Sequence, residues 1–154
     1  MRLDVEGKQA IQDASDADIA RALGALRSSG PHSFMTLSSG GGSYIQVAGG
    51  SQTCVIEVRD ATTGRHYRAH QFQPHPVFPD GTKLTFGAGT VVLQGDEWFT
   101  VAQATSLLIN FLGGELLPAS APGWRDVTDL IFGKKVDGER SASDPKRTLP
   151  RSGK

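Results

Sequence analysis

Residues 100–124, T-V-A-Q-A-T-S-L-L-I-N-F-L-G-G-E-L-L-P-A-S-A-P-G-W, carry the clearest structural signal in the chain. Gln103 follows Thr100 by three residues, the spacing of a capping box, in which two side chains bond each other's backbone N–H groups at the start of a helix. Gly113 and Gly114 come ten and eleven residues after Gln103, and glycine is common where a helix ends. The stretch therefore predicts a capped helix over residues 101–112.

Apolar residues inside this stretch recur at the spacing of one helical face. They are Val101, Ala104, Leu108, Phe111 and Leu112. Leu107 and Ile109 flank this stripe and widen it, which is typical of a helix that packs firmly against a sheet.

A second helix is predicted near the N-terminus. Ser15 and Asp18 have the spacing of a capping box, with aspartate in place of the usual glutamate. The apolar positions that follow mark one face of a helix up to about Arg27; they are Ile19, Ala22, Leu23 and Leu26. Pro31 then prevents the helix from continuing.

Between the two helices, short segments alternate apolar and polar residues and are separated by turn residues, which is typical of strands. The predicted strands are 32–37, 44–48, 53–60, 65–72, 83–86 and 90–93, with a further short edge strand within 1–12. Connections this short cannot hold a parallel crossover. We therefore expect an α+β fold over residues 1–133, an antiparallel sheet of about six strands with two main helices packed on it.

Composition and targeting signals narrow the class of protein. The chain of 154 residues is 38% hydrophobic and has one cysteine, Cys54, inside an apolar run. These values fit one globular domain in a reducing compartment, with Cys54 as a core residue. The N-terminal residues lack the apolar run of a signal peptide, and no segment approaches the length of a bilayer span. We expect a cytoplasmic protein that does not bind membranes.

Charge is unevenly placed along the chain. Residues 134–154 contain seven Lys or Arg and three Asp or Glu, whereas residues 1–133 contain nine and thirteen, a net charge of −4. The C-terminal segment has almost no apolar residues, so we predict a disordered basic tail. An acidic body disfavours nucleic acid as a partner and favours a basic protein.

The histidines do not predict a metal site. His66 and His70 share one face of a predicted strand, where a spacing of four residues separates them by roughly 13 Å. One zinc ion cannot reach two ligands that far apart. No Cys, Asp or Glu completes a site around His70 and His75. The sequence also lacks paired carboxylates or an activated nucleophile, so we expect neither a cofactor nor an enzyme.

Two groups of polar residues have alternative interpretations. Glu57, Arg59, His66 and Arg68 form a polar row if their strands pair across residues 61–64. Such a row is either a ligand-binding face or a set of cross-strand ion pairs on a solvated surface. Asp96-Glu97-Trp98 precedes the second helix, where its carboxylates either complement the helix dipole or form a contact patch for a partner.

Two regions resemble bacterial immunity proteins that are paired with polymorphic toxins. The first runs from Trp98-Phe99-Thr100-Val101-Ala102-Gln103-Ala104 through Phe111-Leu112-Gly113-Gly114-Glu115 to Pro118 and Trp124. The second combines Tyr44-Ile45-Gln46-Val47-Ala48, Cys54-Val55-Ile56-Glu57-Val58-Arg59 and the pair His66-Tyr67.

This resemblance implies a non-enzymatic protein that binds one cognate toxin domain in the producing cell and blocks it. Leu108, Phe111 and Trp124 would then be core residues. The candidate toxin contacts are Glu57, Asp60, Asp80, Asp96, Glu97 and Trp98. The alternative is a non-catalytic binding module that uses the polar face of Glu57, Arg59, His66 and Arg68 for a small ligand or another protein. The oligomeric state stays open.

Overall fold

A computed structural model describes residues 1–133, and the predicted tail, 134–154, lies outside the described residues. The strands are β1 (Arg2–Val5), β2 (Phe34–Ser38), β3 (Tyr44–Gly50), β4 (Thr53–Arg59), β5 (His66–His70), β6 (Thr82–Phe86), β7 (Gly89–Leu93) and β8 (Gly123–Asp126). The helices are α1 (Asp16–Ala25), α2 (Val101–Leu112) and α3 (Thr128–Phe132). None of these helices is long and apolar enough to cross a bilayer.

The main sheet has six antiparallel strands in the order β1-β2-β3-β4-β5-β8, which confirms the α+β class. The set of strands that forms this sheet differs from the predicted set. The strands predicted at 83–86 and 90–93 pair only with each other, as the hairpin β6–β7, because alternation identifies a strand but not its sheet. The sixth place is taken by β8, whose four residues are too few to show a periodic pattern.

Both predicted capping boxes are present. The Ser15 and Thr100 side chains each accept a hydrogen bond from the backbone N–H three residues later. In return, the Asp18 and Gln103 side chains accept from the backbone N–H groups of Ser15 and Thr100. The buried face of α2 consists of Ala104, Leu107, Leu108 and Phe111. Leu107 therefore lies within the stripe that it was expected to flank, and Val101 and Leu112 form its half-buried margins.

Two apolar cores lie on opposite faces of the sheet. The larger one joins α1 and α2 to the inner face of the strands, where alternate residues such as Cys54, Ile56 and Val58 point. The smaller one covers part of the outer face, where β6–β7 and Trp98 pack on Ala48 and Val55. The sheet is thus the middle layer, with α1 and α2 on one side and the hairpin β6–β7 on the other.

Gly50 marks a close approach between β3 and the end of α1. A Cβ at Gly50 would overlap the Leu26 carbonyl oxygen and lie 2.6 Å from its carbon.

We expect Gly50→Ala to lower the free energy of unfolding by about 1–3 kcal/mol through overpacking. Gly24, inside α1, has open space around it, so Gly24→Ala should raise that free energy by roughly 0.5–1 kcal/mol. Urea denaturation of both variants tests this pair, and equal effects would contradict it.

Candidate functional site

The outer face of the sheet brings the predicted polar row together. Glu57 lies opposite Arg68, and Arg59 lies opposite His66. Arg68 Nη2 is 2.8 Å from Glu57 Oε1. The pairing across residues 61–64 is therefore confirmed, but the row is not solvated. Arg68 and His66 are both buried.

Arg68 belongs to a larger set of ion pairs that sequence reasoning did not assemble. Its Nη1 donates to Glu97 at 3.1 Å, and the other Glu97 oxygen accepts from Arg125 at 2.6 Å. Arg125 also donates to both oxygens of Asp96, at 3.1 and 3.0 Å. We call Glu57, Arg68, Asp96, Glu97 and Arg125 the charge network.

The charge network connects strands to the turn before α2. Arg68 comes from β5 and Arg125 from β8, where they are paired across the two strands. Glu97 also accepts from the Gln94 backbone N–H, so a single buried carboxylate closes the turn and fixes it to the sheet. The side-chain hydrogen bond between Arg125 and Asp96 lowers the pKa of Asp96 and raises the pKa of Arg125. Both groups are therefore held in their charged forms.

The remaining predicted contact residues have different surroundings. Asp60 is buried and accepts from the Thr63 hydroxyl, the main cause of its lowered pKa, and from the Thr62 backbone N–H. It therefore closes the turn between β4 and β5. Asp80 is exposed and accepts from the Gly95 backbone N–H at 2.7 Å.

The six candidates thus divide by exposure. Asp80 is exposed, Glu57 and Asp96 are half-buried, and Asp60, Glu97 and Trp98 are buried. Buried side chains support a surface and do not form it. The turn Asp96-Glu97-Trp98 is therefore mainly an internal brace, and Trp98 packs its ring on Phe78 with 4.5 Å between the centroids.

The thiol of Cys54, a type of group that often serves in catalysis, is buried here. Cys54 is a core residue, as predicted, and burial raises the pKa of its thiol to about 12. Such a thiol stays protonated at neutral pH and is a poor nucleophile. Within residues 1–133, no three His, Cys, Asp or Glu side chains are placed to hold a metal ion.

His66 is enclosed by aromatic rings. It packs edge-on against Tyr44 and Phe132, and its Nε2 atom has no hydrogen-bond partner within the described chain. Burial, aided by the charge of Arg59, lowers the pKa of His66, although Glu57 acts in the opposite direction. The folded protein therefore favours neutral His66.

This environment predicts a pH effect on stability. Below the ordinary histidine pKa of about 6.5, the unfolded chain binds a proton at His66 more readily than the folded chain does. The free energy of unfolding should therefore fall as the pH drops from 7.5 to 5.0. We expect His66→Phe, which has no proton to bind, to lose less stability over this range. Chemical denaturation at both pH values tests this, and identical losses in the two proteins would contradict it.

Residues 71–79, which we call the proline loop, run beside the charge network. The Gln71 N–H donates to the Asp96 carbonyl and the His75 N–H to the Gly95 carbonyl, both at 2.7 Å. His75 Nδ1 accepts from the backbone N–H groups of Val77 and Phe78, and its ring stacks on Phe78. The loop is therefore held in place by the turn that Glu97 closes.

This loop nevertheless exposes two large apolar side chains. Phe72 is 84% exposed and Val77 is 69% exposed. The predicted strand 65–72 was too long, because β5 ends at His70 and Phe72 lies in the loop that follows. The alternation of residues 65–70 did not show where the strand stops.

A groove of about 420 Å³ separates the proline loop from the start of α2. Glutamines 52, 71, 73 and 103, with aromatic and proline residues, form most of its lining, and we call it the glutamine groove. None of the described residues that line it is Asp, Glu, Lys or Arg. The lining therefore consists of amide, apolar and hydroxyl side chains together with His75, whose Nδ1 accepts from two backbone N–H groups.

Comparison with known proteins gives no family to which the chain can be assigned. No protein-family model matches it. No curated protein matches it either.

Proposed function

We propose that this protein is a non-catalytic immunity protein that binds a cognate toxin domain in the cytoplasm of the producing cell and occludes it. The main support is the proline loop, which exposes Phe72 and Val77 although its backbone is fixed at both Gln71 and His75. Contiguous apolar surface held in water is typical of protein contact sites, and Phe72 adjoins Pro74 and Trp98 in the glutamine groove. A fixed loop also loses little conformational entropy on binding.

The charge distribution supports a basic partner. Residues 1–133 carry a net charge of −4, which favours association with a positively charged surface. Asp80, next to the proline loop, is exposed and suits the polar rim of such a contact. The alternative ligand-binding face has less support, because Arg68 is already committed to two carboxylates.

The test is co-expression with the product of the neighbouring gene, followed by purification of the complex and measurement of host survival. We expect the protein to bind that product and to protect the host from it. The variant Phe72→Ser/Val77→Ser should bind at least about 30-fold more weakly, because loss of a hot spot costs about 2 kcal/mol or more. Leu130→Ser, at an exposed position in α3, is the matched control and should bind normally.

Two results would oppose the proposal. One is a neighbouring product that harms no host cell and forms no complex. The other is a loop variant that is folded, judged by circular dichroism, and still binds and protects as well as the unmodified protein. The second result would place the contact on another surface.

A further inference from the structure

Two side-chain amides are joined in the glutamine groove. Gln71 Nε2 donates to Gln103 Oε1 at 3.2 Å. The same Gln71 nitrogen donates to the Trp98 carbonyl, and the same Gln103 oxygen accepts from the Thr100 backbone N–H. Since a carbonyl only accepts and a backbone N–H only donates, the orientation of both amides is determined.

Within residues 1–133, neither Gln71 Oε1 nor Gln103 Nε2 takes part in a hydrogen bond. Gln71 is half-buried, Gln103 is exposed, and both line the groove, so this acceptor and this donor are accessible to a bound molecule. An extended peptide presents the complementary groups, a backbone N–H and a backbone C=O.

The groove walls restrict what accompanies that backbone. Phe72, Pro74 and Trp98 supply apolar surface, and a volume of about 420 Å³ lies within the range of ligand clefts. A charged side chain that entered would lose part of its hydration and would find no Asp, Glu, Lys or Arg partner in the lining, which is costly. The lining therefore selects an uncharged segment with apolar side chains.

We infer that the glutamine groove binds an extended, uncharged peptide segment of the protein partner, with its backbone hydrogen-bonded to Gln71 and Gln103. This inference rests on the proposed function for the identity of the partner. The groove supplies the short-range contact, and the net charge of −4 over residues 1–133 supplies the long-range attraction.

Gln103→Glu is the most informative variant. Glutamate is the usual residue at this position of a capping box, so the acceptor for Thr100 and for Gln71 is kept. The free donor is lost, and a negative charge enters a neutral groove. We expect an unchanged melting temperature within about 2 °C, which corresponds to at most about 1 kcal/mol.

The probe is a pool of capped tetrapeptides made only of Ala, Leu, Phe, Pro, Ser and Gln, titrated into isotope-labelled protein and followed by NMR. We expect the side-chain amide signals of Gln71 and Gln103 to shift. The matched pool with Lys or Asp at alternate positions should shift them at least tenfold less at equal concentration. Gln103→Glu should weaken the response to the uncharged pool by about tenfold, the effect of losing one buried hydrogen bond.

Three results would overturn the inference: no shift of these amides by the uncharged pool, an equal or larger response to the charged pool, or an undiminished response of Gln103→Glu. The toxin measurement separates the two proposals. If the neighbouring product fails to bind but the peptides bind in the groove, only the immunity role fails. If the product binds Gln103→Glu as tightly as the unmodified protein, the immunity role stands and the groove is not its peptide site.

Discussion

Replacement of Glu97 by alanine is expected to lower the free energy of unfolding by about 3–5 kcal/mol, because it breaks a buried set of ion pairs. The Glu97 side chain is 1% exposed and pairs with both Arg68 and Arg125. Its loss leaves Arg68, itself 7% exposed, with Glu57 as its remaining carboxylate partner. The Gln94 N–H also loses its acceptor. Urea denaturation monitored by tryptophan fluorescence measures the change.

The control is an exposed ion pair in the same sheet. Arg2 and Asp4 pair at 2.8 Å on the surface of β1, and Asp4→Ala should change the free energy of unfolding by less than about 1 kcal/mol. A loss of similar size in the two variants would show that burial adds nothing to the Glu97 contacts. The Glu97 variant should also loosen the proline loop, because the Gly95 and Asp96 carbonyls hold it.

Leu108→Ala is expected to cost about 2–5 kcal/mol, the range for removing a buried leucine side chain and leaving a cavity. Leu108 is fully buried on α2, between the helices and the inner face of the sheet. Its neighbours include residues of several separate elements, so the cavity cannot collapse by the movement of one side chain. The midpoint and slope of a urea transition give the change directly.

Leu130→Ala is the matched control, since it makes the same chemical change at a position that is 73% exposed. It should alter the free energy of unfolding by no more than about 0.5 kcal/mol. An equally small change at Leu108 would mean that α2 is not the centre of the larger core. That outcome would contradict the prediction that the apolar stripe of α2 packs firmly against the sheet.

Local signals in the sequence predicted the parts of the fold that depend on neighbouring residues. The spacing from Thr100 to Gln103 specified a cap, because a capping box forms between residues one helical turn apart. The short turn after Asp60 indicated that Glu57, Arg59, His66 and Arg68 would form one polar row if the two strands paired, because a tight turn sets the register of a hairpin. These features are determined by residues that lie close together in the sequence.

The parts that depend on distant residues were not predictable in this way. Arg125 meets Asp96 and Glu97 only because β8 returns to the edge of β5. No periodic pattern within Gly123–Asp126 marks that strand or its partner. The exposure of Phe72 is similarly a tertiary property, since an apolar residue in a loop is buried or solvated according to what packs above it.

The late position of β8 in the chain has a consequence during synthesis on the ribosome. β5 is complete at His70, but its outer neighbour begins only at Gly123, after the hairpin and α2 have been translated. Until then, one side of β5 is an unpaired edge, and another nascent chain can add a strand to such an edge. Growing chains that stall before Trp124 should therefore be the species most prone to aggregate and most dependent on chaperones.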